Sequence, residues 1–113
     1  MKESVNILGV EYRIHVVAKE ENPKLQNYDG YVDFTTKEIF VDKFVPDADS
    51  FQDLEYYAKK VLRHEIVHAA LYESGIDCCS ASVDAWARNE EMVDWVAIQF
   101  PKLIKMFEEA DAL

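Results

Sequence analysis

Cysteine is nearly missing from this chain. Two occur among 113 residues, Cys78 and Cys79, and they are neighbours. A bridge between adjacent cysteines is strained, and one pair cannot build the framework of a small secreted domain. Reduced thiols and a cytoplasmic setting are therefore expected. Three glycines and three prolines leave no room for a collagenous or linker-like tract. No apolar run approaches the ~18 residues of a membrane span. No apolar h-region follows Met1-Lys2-Glu3-Ser4, so no secretory signal is expected either. Positive charge is scarce: 12 Lys and Arg stand against 22 Asp and Glu, a formal net charge of −10. The basic residues are scattered, with Lys59, Lys60 and Arg63 the only group, which argues against nucleic acid as a partner. Histidine is rarer still, with three in all.

What the chain does have is apolar residues, half of the total, including six Tyr, six Phe and two Trp. That suffices for one packed core, and the length fits a single domain over residues 1–113. The pattern predicts an α+β fold. Residues 1–45 read as a small antiparallel sheet. Tyr12, Ile14 and Val16 alternate with Arg13 and His15 after a turn at Gly9-Val10. Residues 19–27, with Pro23, read as a loop. Tyr28 to Phe34 and Glu38 to Val41 form a hairpin around Thr35-Thr36-Lys37. A long helix is predicted over 50–74, from Phe51 to about Glu73. Ser50 and Asp53 form its capping pattern, Gly75 stops it, and Leu54, Tyr57, Val61, His64, His68 and Leu71 lie on one stripe. A second helix is expected over 83–100, ended or kinked by Pro101, and a short C-terminal helix over 102–109.

The long helix carries His64-Glu65-Ile66-Val67-His68. Histidines four residues apart share one helical face, one turn apart, where both imidazoles can bind one metal ion, zinc by donor type. Glu65 lies about 100° round the helix, placed to reach a water on that ion without ligating it. Catalytic zinc commonly keeps three protein ligands and a water. No histidine follows His68, and His15 precedes the motif on a strand, where it reads as a surface or sheet-packing residue. The third ligand is therefore expected to be a carboxylate of the second helix. Glu90 shares a stripe with Trp86, Val93, Ala97 and Phe100, where a lone carboxylate is costly unless paired or metal-bound. Glu91 is the alternative third ligand. Asp94, one turn on, is placed to accept the second ring N–H of a ligating histidine. Zinc on Cys78, Cys79 and one histidine is disfavoured, because neighbouring cysteines do not easily reach one tetrahedral ion.

His64-Glu65-x-x-His68 followed by Glu90 and Asp94 resembles the gluzincin metallopeptidases. The stretch 38–100, with Glu90-x-x-Val93-Asp94-x-Val96-Ala97, more closely resembles the ImmA/IrrE-type metallopeptidases of phages and bacteria. Val67 departs from that pattern, which commonly has Gly before the second histidine. The resemblance implies zinc-dependent hydrolysis of a peptide bond in a protein or peptide substrate, often a regulatory protein; the charge balance and the lack of long apolar runs argue for no nucleic acid and no membrane partner. Tyr28, Tyr31, Tyr72 and Arg88 are the candidate donors for a tetrahedral oxyanion, and the strand at 38–42 is a candidate edge for pairing with an extended peptide. The rival expectation is a catalytically silent, zinc-stabilised binding or regulatory module, since a structural site does not require Glu65.

Overall fold

Alternating apolar and polar residues build four strands, β1 (Ser4–Ile7), β2 (Val10–Val17), β3 (Gly30–Asp33) and β4 (Glu38–Asp42). The computed structural model describes residues 1–79 and 86–113. Leu8 and Gly9 make a two-residue turn between β1 and β2, both at positive φ, the backbone that twisted hairpins favour. At the β3–β4 turn, the Asp33 carboxylate accepts hydrogen bonds from Thr35 N, Thr35 Oγ1 and Thr36 N. The strand order is β1-β2-β4-β3. Both hairpins are antiparallel as expected, but the sheet is not antiparallel throughout. β2 and β4 pair in parallel, Ile14 beside Ile39 and Val16 beside Val41, so the sheet is mixed. The chain reaches β4 by way of β3 and then inserts it between β2 and β3. Periodicity within one strand carries no information about its partner, so the parallel seam was not foreseen.

Helix α1 (Leu54–Glu73) covers the sheet. Its cap is Asp53, whose side chain accepts from Tyr56 N at 2.9 Å. Ser50, the expected cap, is held in a turn with Asp47 instead. Ser74 closes the helix and Gly75, at φ +83°, follows as the left-handed residue expected there. Val61, Glu65 and Ala69 form the buried row facing the sheet, against Tyr12, Ile39 and Val41. The expected stripe was therefore off by one position: the histidines sit on its shoulder. At the far end of α1, Tyr12 Oη and Lys37 Nζ both donate to Glu73 Oε1 at 2.6 Å, tying the helix to β2 and to the β3–β4 turn.

A short helix α2 (Ile76–Cys79) and a turn of 3-10 helix at Trp86–Arg88 precede α3 (Glu90–Glu109), which packs on α1. The expected helix start at Val83, and residues 80–82 of the expected connection 76–82, lie outside the described residues, while 76–79 are helical rather than a plain connection. Two expectations are corrected here. Pro101 neither ends α3 nor separates a C-terminal helix at 102–109, because one helix runs through it to Glu109. No helix among the described residues is long and apolar enough to cross a membrane.

At Gly30 the sheet lies close against α1. A Cβ there would lie 2.8 Å from Val61 Cγ1 and 2.9 Å from the Phe40 carbonyl oxygen. The backbone oxygen cannot yield, so Gly30→Ala is expected to cost about 1–3 kcal/mol by overpacking, read as a lower urea midpoint. A midpoint equal to that of the native chain would show that β3 has slack at this point.

Candidate metal centre

Two elements bring three ligand atoms together. On α1, the four-residue spacing puts the imidazoles of His64 and His68 on one shoulder, with their Nε2 atoms 3.1 Å apart. On α3, Glu90 is the first residue of the helix, held there by its cap Asn89, which accepts from Met92 N at 2.8 Å. The Glu90 carboxylate lies 2.9 Å from His64 Nε2 and 3.1 Å from His68 Nε2. His64, His68 and Glu90 form a possible metal-binding group, the one such group of three found among the described residues. Its spacing fits the donor set. Atoms sharing one tetrahedral ion at about 2.0–2.1 Å are about 3.3 Å from one another.

The charges point the same way. Asp94 Oδ1 accepts from Lys60 Nζ at 2.6 Å and lies 3.1 Å from His64 Nδ1. Partial burial works to raise the Asp94 pKa, but the bonds to Lys60 and His64 outweigh it and hold the carboxyl below its ordinary value. An ionised Asp94 only accepts, so His64 donates from Nδ1 and its Nε2 lone pair faces the other imidazole and Glu90. Lone pairs and a carboxylate converging at this distance repel unless a proton or a metal cation lies among them. The second-helix aspartate thus orients His64 rather than His68.

Glu65 stands apart from the three. It is 6% exposed, in the sheet-facing row, with its Cγ beneath Gly30. Burial pushes its carboxyl up to about 7, and the Glu90 charge adds to this, while His64 and Lys60 pull the other way. A carboxyl titrating near neutrality is suited to taking up and returning a proton.

The group opens into a cleft of about 410 Å³ lined by β3, α1 and the start of α3. Of the expected oxyanion donors, Tyr28 and Tyr31 line this cleft. Tyr31 accepts from Asn22 and stacks on Phe40, whereas Tyr28 is 62% exposed and its hydroxyl makes no hydrogen bond among the described residues. Tyr72 stacks on Phe34 and Arg88 pairs with Asp77, and neither lines the cleft. Glu91 is exposed in a separate groove with Trp86 and Trp95 and does not join the group. Cys78 is exposed, and the Cys79 side chain lies outside the description. His15 pairs with Glu38 and stacks on Phe40, on the sheet.

Three contributors had not been singled out. Gly30 lets β3 lie against α1 at Val61, next to Glu65, Lys60 holds Asp94 ionised, and Tyr57 donates to Asp29 at the cleft wall. A signal for Lys60 was present, since it lies one turn before His64. The edge strand also differs from expectation: β4 is interior and β3 is the edge. Asp42 N donates to Asp29 O, so the alternation turns the backbone groups of Asp29, Tyr31 and Asp33 toward β4. Those of Gly30 and Val32 face the outer side.

Comparison of the chain with protein-family models, curated proteins and solved structures returns no match.

Proposed function

We propose that this protein is a zinc-dependent peptidase of the gluzincin type, acting in the cytoplasm on a protein or peptide substrate. The reading rests on one observation: two imidazole nitrogens and the Glu90 carboxylate converge beside a buried carboxylate, Glu65, at the floor of an open cleft. It agrees with the resemblance of the motif helix and the Glu90–Ala97 segment to phage and bacterial ImmA/IrrE-type enzymes, whose substrates are often regulatory proteins.

His64, His68 and Glu90 would hold the zinc, which would supply Lewis acidity for the scissile carbonyl and for a water that loses a proton near neutral pH. Glu65 takes that proton on its carboxylate as the water oxygen bonds to the carbonyl carbon. It then delivers the proton to the leaving nitrogen as the C–N bond breaks. Asp94 keeps His64 in the tautomer that presents Nε2. Tyr28, at the mouth of the cleft, is the donor best placed for the developing oxyanion. The outward backbone groups of Gly30 and Val32 offer hydrogen bonds to an extended substrate lying along β3.

Two measurements test the reading together: metal content of the purified chain, and cleavage of an unfolded protein with and without a chelator. One equivalent of zinc and chelator-sensitive cleavage are expected. Bound zinc without cleavage of any unfolded substrate would favour the binding or regulatory module. A chain that takes up no divalent ion would end both.

A further inference from the structure

Pro101 lies inside α3. It has no N–H, so the carbonyl four residues earlier, at Ala97, loses its intrahelical donor. Ala97 is fully buried against α1, where an unsatisfied carbonyl costs about 1–3 kcal/mol. Arg63, the residue before His64, supplies the missing donor, its Nε bonding Ala97 O at 2.5 Å.

We infer that Arg63 is a positioning residue. It latches α3 to α1 through the carbonyl that Pro101 vacates, and so sets the reach of Asp94 and Glu90 to the imidazoles. The inference rests on the reading of His64, His68 and Glu90 as a metal site. Three contacts run in an antiparallel series, Arg63 to Ala97, His64 to Asp94 and His68 to Glu90, and Lys60 joins His64 at Asp94. Glu90 is two helical turns from Ala97, about 10 Å along the axis. The apolar part of this interface is made by small or branched side chains, Val93 and Ala97, which resist separation but tolerate sliding and rotation. A hydrogen bond to a fixed carbonyl tolerates neither. Without it, the height of Glu90 along α1 is left to the contacts of Lys60 and His64 with Asp94, whose side chains can follow a sliding helix.

Arg63 is a costly choice for mere packing. Its Nη2 is buried with no partner among the described residues. Removing the guanidinium therefore relieves one unpaired donor while exposing another unpaired group, and global stability is a poor readout. Metal affinity and the state of His64 are better ones.

The test uses the full chain as four proteins: native, Arg63→Met, Pro101→Ala and the double variant. In Pro101→Ala the new residue brings its own N–H, which satisfies the Ala97 carbonyl without Arg63. Arg63→Met in the native background is expected to weaken zinc binding about 10- to 100-fold, the size of a lost outer ligand support, and to shift the absorption bands of the cobalt-loaded protein. In the Pro101→Ala background the same substitution is expected to cost about 2-fold or less, within ordinary additivity. The same cost in both backgrounds, or no cost in either, overturns the latch. Failure of the native chain to bind zinc or cobalt overturns the metal reading instead. The imidazole nitrogen resonances of His64 then decide the latch: movement in Arg63→Met with recovery in the double variant supports it, and identical resonances in all four proteins overturn it.

Discussion

Replacing Glu65 by Gln is expected to lower peptide hydrolysis by about 10³-fold while zinc stays bound at one equivalent, since proton transfer of this kind is worth about 10²–10⁴ in rate. The two halves of that expectation have separate causes. Glutamine cannot take a proton from water, so the chemical step loses its base. Glu65 is outside the group of three converging atoms, so the metal loses no ligand. The fold should survive, because the site already favours the uncharged carboxyl: burial raises its pKa to about 7, and the amide has the same shape without the charge. Zinc content by elemental analysis and cleavage of an unfolded protein measure the two halves side by side. Cleavage at the native rate would remove Glu65 from the mechanism. Loss of zinc in the Gln variant would instead make it part of the metal's support.

The largest effect on binding is expected from the ligands themselves. His64→Ala and Glu90→Ala should each weaken zinc by more than the about 100-fold that loss of an outer partner brings. Glu90 gives the cleaner experiment. Its side chain is 71% exposed at the first position of α3, held by the separate Asn89 cap, so its removal should change stability by no more than about 0.5 kcal/mol. Weakened binding in Glu90→Ala then reports a lost ligand rather than an unfolded chain. Glu91→Ala is the matched control, one residue on, in a different groove, with unchanged affinity expected. Equal affinities for the Glu90 variant and the native protein, or a loss in Glu91→Ala, would move the third ligand elsewhere.

The motif helix was legible because its signal is local. A four-residue histidine spacing means one face of a helix whatever surrounds it, and the hairpin about Thr35–Lys37 was legible for the same reason. Glu90 was singled out by an argument that the structure does not support. It was expected to be a carboxylate trapped in an apolar stripe, yet only Val93 and Ala97 of that stripe are buried, and Glu90 stands at its wet end. The trapped carboxylate is Glu65, and its sign in the sequence was the row Val61, Glu65, Ala69 at four-residue intervals. Pro101 was misread because the donor replacing its missing N–H comes from Arg63, on the other long helix, and no window along α3 contains it. The parallel pairing of β2 with β4 is tertiary in the same sense.

That pairing governs more than the sheet. β1–β2 and β3–β4 are each closed by a short local turn, and the two hairpins pair along the seam from Arg13–Glu38 to Val17–Asp42. β3, the strand over Glu65, pairs with β4 and joins the first hairpin in the sheet through that seam. A slip of one residue along the seam would turn Ile39 and Val41 away from α1 and would carry the outer strand, with Gly30 and the cleft wall, away from Glu65. The register of the seam at the centre of the sheet therefore sets where β3 and the cleft wall stand relative to His64, His68 and Glu90.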